Sequence, residues 1–186
     1  MHNMKPQPNA AGIRFAKYIR QVVEAGSVHP VGASFLSPIR CIRRPNRKPC
    51  KGKIGITPLL DIMRWQCSEC ESNGDISGWR NTAADLSECM PDNSERLSAL
   101  GLPEREYQTL REVDVCTCDE AALVASGEWA DSEVVISGPS DIFELLSESV
   151  AAEFNRTWDK KKRKLLDHLS ASLRQVASKP DRDDGK

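Results

Sequence analysis

Four cysteines, Cys41, Cys50, Cys67 and Cys70, fall in the pattern Cys-x8-Cys-x16-Cys-x2-Cys, and no other feature of this 186-residue chain limits its fold as tightly. Two thiolates two residues apart can grip one metal ion from a tight turn, because both sulfurs point into the same concavity. The same spacing serves disulfide exchange, but there the motif follows a strand and opens a helix in a βαβ setting. In this chain the motif runs into ESNGD, residues 71–75, which reads as a turn leading to a strand. Strand, knuckle, strand favours a metal. The sixteen residues between Cys50 and Cys67 suit two strands joined by a turn at TPLLD, the hairpin that a zinc ribbon places between its ligand pairs. The gap between Cys41 and Cys50 is wider than the usual two to four or so residues. Pro45 and Pro49 offset part of that cost by stiffening the intervening loop. Four thiolates around Zn²⁺ leave a charge of about −2, which Arg40, Arg43, Lys51 and Arg64 are close enough in sequence to soften. The plain alternative is that Cys41 and Cys50 are a buried and a loop cysteine without a metal, since free cysteines behave as small apolar residues.

The net charge of −1 conceals an asymmetry. Residues 40–53 carry seven basic side chains and no acidic one, whereas residues 66–153 carry 20 acidic and 4 basic, a balance of −16. Within the basic segment, Arg43, Arg44, Arg47 and Lys48 lie between two expected metal ligands. They are either a solvated turn or a set of forks for the phosphates of a nucleic acid. Trp65 and Trp79 bracket the knuckle, where they either shield a metal or offer one face to a base. A second basic run, Lys160 to Lys164, reads as the solvated face of a helix.

Residues 1–9 read as a disordered tail and residues 10–38 as an N-terminal helix and loop, with Phe15, Ala16, Ile19, Val22 and Val23 on one helical face. Residues 39–80 form the expected ribbon module, with strands at 53–57, 62–67 and 75–79. Residues 81–177 read as an α/β segment with helices at 104–111 and 119–127, strands at 113–118 and 133–137, and a long C-terminal helix. That helix, as one piece or two collinear pieces, carries a stripe of Phe143, Leu146, Val150, Phe154, Trp158, Leu165, Leu169, Leu173 and Val176. Residues 178–186 read as a second disordered tail. Cys89, Cys116 and Cys118 read as core or edge thiols, with a poorer second metal site as the alternative.

No phosphate-binding glycine loop, zincin helix or esterase elbow occurs, and only three histidines are present. A closed four-thiolate site keeps no position for substrate water, so the expected role is not catalytic. The start MHNMKPQPN holds no apolar run, and no stretch reaches the roughly 18 apolar residues that cross a bilayer. A cytoplasmic protein with reduced or metal-bound cysteines is therefore expected, with no membrane partner.

The segments IRCIRRPNRKPCKGKI and RWQCSECESNGDISGWRNTAADLS resemble a set of uncharacterised bacterial hypothetical proteins that share R-C-x-R-R-P-x-R-x-P-C followed by W-x-C-x-x-C-x-x-x-G-x-I-x-x-W. The match runs through Cys41, Arg43, Arg44, Pro45, Arg47, Pro49, Cys50, Trp65, Cys67, Cys70, Gly74, Ile76 and Trp79. VVISGPSDIFELLSESVAAEFN is similar to their strand-Gly-helix ending. The resemblance implies that the two cysteine pairs act as one unit and implies no reaction.

The expected protein is therefore α+β: a three-stranded zinc-ribbon-like module packed with an α/β segment and a long C-terminal helix. Its leading function is structural zinc binding that presents a basic loop to nucleic acid. The alternative is a protein-interaction adaptor, using the acidic body and the helical stripe to bind a protein partner or a second copy of the chain.

Overall fold

The structure, a computed structural model, describes residues 9–89 and 98–178. Asn9 caps the first helix, α1 (Ala10–Ser27), by accepting the Gly12 N–H at 2.8 Å. Four antiparallel strands follow in spatial order: β1 (Phe35–Arg40), β2 (Lys53–Pro58), β3 (Ile62–Cys67) and β4 (Asn73–Ser77). Their side-chain period is two. Ile54, Ile56 and Pro58 of β2 pair with Cys67, Trp65 and Met63 of β3, and all six side chains are buried on the same face. α1 covers that face with Tyr18, Val22, Val23 and Ala25. The ribbon module thus has four strands, not three, because the segment before Cys41 adds an edge strand.

The second sheet contains β5 (Ser98–Leu102), β6 (Glu128–Ala130) and β7 (Glu133–Gly138), in the order β5-β7-β6 and antiparallel throughout. The helices α2 (Glu104–Leu110), α3 (Cys118–Ala125), α4 (Ser140–Arg156) and α5 (Lys160–Ala177) pack around it and supply a second core centred on Phe143, Leu146, Leu166, Leu169 and Leu173. The α+β class expected from the sequence is what the chain adopts. The two sheets meet where β1 lies against β6, and Glu104 at the start of α2 adds a link by receiving Arg40 at 2.9 Å and Lys53 at 2.6 Å. Lys53 Nζ also lies 4.0 Å from the ring centroid of Trp129 in β6.

Two expectations change in this half of the chain. Residues 113–118 are not a strand. Thr117 accepts the Glu120 N–H, and Glu120 returns its carboxylate to the Thr117 N–H, so a capping box starts α3 at Cys118. The C-terminal helix is neither single nor collinear. Asp159 accepts the N–H groups of Lys161 and Lys162, which begins a new helix, and α5 folds back against α4 as a hairpin. This turn lifts Trp158 out of the apolar stripe to 94% exposure, and Leu166 is fully buried where the stripe named its neighbour Leu165. On α1, Tyr18 enters the core and Phe15 does not, being 53% exposed. The tails expected at 1–9 and 178–186 lie outside the described residues except for Asn9 and Ser178. Among the described residues, no helix is long and apolar enough to cross a membrane.

Candidate metal centre

Two hairpin ends build the site. β1 and β2 form one hairpin, whose pairing continues past the strands: Cys41 N–H donates to the Gly52 carbonyl and Cys50 N–H to the Arg43 carbonyl, both at 2.9 Å. This continued ladder closes the eight-residue gap, so that Cys41 and Cys50 face each other at the neck of a projecting loop. β3 and β4 form the other hairpin, and the Cys-x-x-Cys motif sits at its turn. Ile54 pairs with Cys67 across β2 and β3, which brings the two hairpin ends side by side.

The four sulfurs converge. All lie within 4.8 Å of one another, with Cys41–Cys70 at 3.6 Å and Cys50–Cys67 at 3.7 Å. A tetrahedral ion with metal–sulfur bonds near 2.3 Å needs sulfur–sulfur edges of about 3.8 Å. The Cys41–Cys70 and Cys50–Cys67 edges match that requirement, and these four cysteines can hold a metal ion. Cys41 and Cys67 are buried, and Cys50 and Cys70 are half-buried.

Backbone dipoles are aimed at the sulfurs in advance. N–H groups of Arg43, Gly52 and Glu69 donate to Cys41, Cys50 and Cys67 respectively, each at 3.4 Å and each from two residues beyond the sulfur it meets. The Cys70 N–H reaches Cys67 Sγ at 3.5 Å, and Ser72 Oγ lies 3.2 Å from Cys70 Sγ. Such donors favour thiolate over thiol and spread the negative charge of a four-sulfur centre. The sulfurs are not equivalent without an ion. The hydroxyl and N–H of Ser72 hold the Cys70 thiol down to about 6, while burial pushes Cys41 up to about 12. Tyr18 packs edge-on against Trp65 with ring centroids 5.7 Å apart, and its hydroxyl is held above its ordinary range by burial, then by Cys41 and Cys67.

Ser72, Gly52 and Tyr18 belong to the centre although none stood out in the sequence. The first two sit two residues after a ligand cysteine, the position from which an N–H or hydroxyl can turn back onto the sulfur. Two of the expected charge partners are engaged elsewhere: Arg40 pairs with Glu104, and Arg64 pairs with Asp75 at 3.1 Å. Trp65 and Trp79 are both buried, so they line the module's core and offer no face to a base.

The basic loop is fully outside. Residues 42–49 are all exposed, and among the described residues Arg43, Arg44, Arg47 and Lys48 form no ion pair. Its tip turns through Asn46 and Arg47, at φ 51° and 63°, and Lys48 N–H closes onto the Pro45 carbonyl at 3.1 Å. Two successive left-handed residues are the pattern of a type I′ hairpin turn.

Among the described residues, the remaining cysteines form no second metal-binding cluster. Cys89 is bonded to Cys118, with Cα atoms 5.5 Å apart, and Cys116 is an exposed free thiol. The expectation of unpaired core or edge thiols fails for Cys89 and Cys118, because the start of α3 carries Cys118 to the segment holding Cys89. No family model, no curated protein and no solved structure matches the chain.

Proposed function

We propose that this chain is a non-enzymatic, structural zinc-binding protein whose metal centre fixes a basic loop for contact with nucleic acid. Zinc is the ion that four thiolates in a closed tetrahedral cage suit best, and such a cage keeps no open position for a substrate. In this reading Zn²⁺ is held by Cys41, Cys50, Cys67 and Cys70, and Arg43, Arg44, Arg47 and Lys48 contact phosphates.

Arg47 is the single observation that carries the nucleic-acid part. Its φ of 63° is a conformation that costs a residue with a Cβ about 1–2 kcal/mol, and asparagine or glycine would occupy it more cheaply. Its guanidinium has no ion pair among the described residues that would offset this cost. The type I′ turn needs a left-handed residue at this position but not an arginine, so the choice of residue points to a use for the side chain itself. Both ends of the loop are anchored by sulfur ligands, so ordering its cations on a ligand costs little further entropy.

For the adaptor alternative, most of the C-terminal stripe (Phe143, Leu146, Val150, Leu169, Leu173 and Val176) is buried in the chain's own core, which leaves Trp158 and the acidic body as the surface it would use. The test is elemental analysis of the purified protein together with DNA and RNA binding across a salt series. One zinc per chain is expected, with a log–log salt slope that flattens by about 3 when the four loop residues become serine. Zinc-free protein that remains folded, or a slope unchanged in the loop variant, would overturn the reading.

A further inference from the structure

α1 and α2 flank an open groove of about 790 Å³ beside the metal module. Arg14 and Lys17 line it from α1 at helical spacing, and Arg105 lines it from α2, with Arg111 just beyond the end of that helix. Among the described residues none of these four cations forms an ion pair. Of the two carboxylates in the lining, Glu104 is already engaged by Arg40 and Lys53, so Glu112 alone opposes them. The groove is therefore a cationic trough built by elements outside the basic loop.

It also leads to that loop. Ile42, 47% exposed, lines the groove and immediately precedes Arg43. Tyr18 and Ile39 back the groove but are themselves buried, and the exposed ring of Phe15, outside the residues that line the groove, stacks on Tyr18 with centroids 6.5 Å apart. Unpaired cations on both walls beside an exposed aromatic ring match what a single strand of nucleic acid requires, phosphate contacts along the backbone and a π-face for a base. The ring adds a stacking face that an acidic peptide without aromatic side chains would leave unused.

We propose that the groove takes one single strand of nucleic acid as a continuation of the loop's site, with phosphates on Arg14, Lys17 and Arg105 and a base stacked on Phe15. This rests on the nucleic-acid reading of the loop and extends it to a strand type and a footprint. The loop alone meets a few phosphates, whereas loop and groove together meet about seven.

The test uses the full zinc-loaded chain, with labelled oligothymidine of about 6 and about 20 nucleotides and a duplex of the longer length, each across a salt series. The wild type is expected to prefer the longer single strand, with a slope near −5 at about 0.7 per phosphate. The variant Arg14→Gln/Lys17→Gln/Arg105→Gln changes only exposed side chains, and an unchanged thermal melt verifies its fold. Its slope should flatten by about 2 and its preference for the longer strand should vanish. Phe15→Ala should weaken binding by about tenfold with no change of slope. If the groove variant keeps the wild-type slope and length preference while the loop variant loses binding, the groove inference falls and the loop reading stands. If the wild type binds neither single strand nor duplex, both fall. Tighter binding of the duplex, or displacement of the strand by polyglutamate at equal charge, would also overturn the groove.

Discussion

Gly52 lies directly against the sulfur of Cys67: a β-carbon on Gly52 would sit 2.5 Å from Cys67 Sγ and 3.1 Å from the backbone nitrogen of Glu69. The first hairpin thus needs a residue without a side chain where it passes the second, and the convergence of four sulfurs depends on that close approach.

Gly52→Ala should therefore separate the two ligand pairs. Overpacking of this kind costs about 1–3 kcal/mol, and disturbing a group behind a metal ligand lowers affinity about 10- to 100-fold. Competition against a chromogenic chelator should show the loss. An affinity equal to wild type would mean that the hairpins can shift without harm to the site.

Arg47→Asn should make the protein more stable and a poorer ligand binder. Asparagine tolerates left-handed backbone, so relief of strain should raise stability by about 0.5–1 kcal/mol. One phosphate contact fewer should flatten the salt slope by about 0.7–0.9. Denaturant melts and binding titrations on the same preparation check both signs together.

Removing the ion should act on one half of the molecule. Ion binding supplies folding free energy to small ribbon modules. The second core, around Phe143 and Leu169, is built from other residues. Chelation under reducing conditions should expose the amides of β1 to β4 to hydrogen exchange while α4 and α5 keep most of their protection. Equal protection with and without chelator would show that the metal does not hold the sheet.

Acid should weaken the fold in two windows. Burial holds the His29 imidazole down to about 4, below its ordinary 6.5. Between those values the unfolded chain binds the extra proton and the folded one does not, so stability falls as the pH drops from 6.5 to 4. Glu104 is held down to about 2, first by its hydrogen bond from Arg40 and then by Lys53, against an ordinary 4.5. Its contribution is complete above 4.5 and is lost as the pH falls from there toward 2. Thermal melts across this range should show His29→Phe flattening the upper window and Glu104→Gln the lower one. At neutral pH the second variant should cost about 1–2 kcal/mol, from the two charged hydrogen bonds it weakens.

Local chemistry made part of this protein legible in one dimension. The spacing of Cys67 and Cys70 marks a candidate ligand pair because two residues are all that a knuckle needs, and the alternation through Ile54, Ile56, Met63 and Trp65 specifies half-buried strands because the β period is two. The paired role of Cys41 and Cys50 was visible as a spacing. What closes their wide gap is a backbone ladder through Gly52 and Arg43 that only strand pairing supplies. Two errors were local signals overruled by other local signals. Val113 to Cys118 alternates like a strand until Thr117 and Glu120 cap a helix there, and the apolar stripe runs through Trp158 until Asp159 caps a new one. The rest was set by distance in three dimensions. The Cys89–Cys118 bond, the Glu104 link between the sheets and the groove between α1 and α2 each join residues far apart in the chain. A sequence states which groups can hydrogen-bond, ionise or bind a metal, and the packing of the apolar faces decides which of them meet.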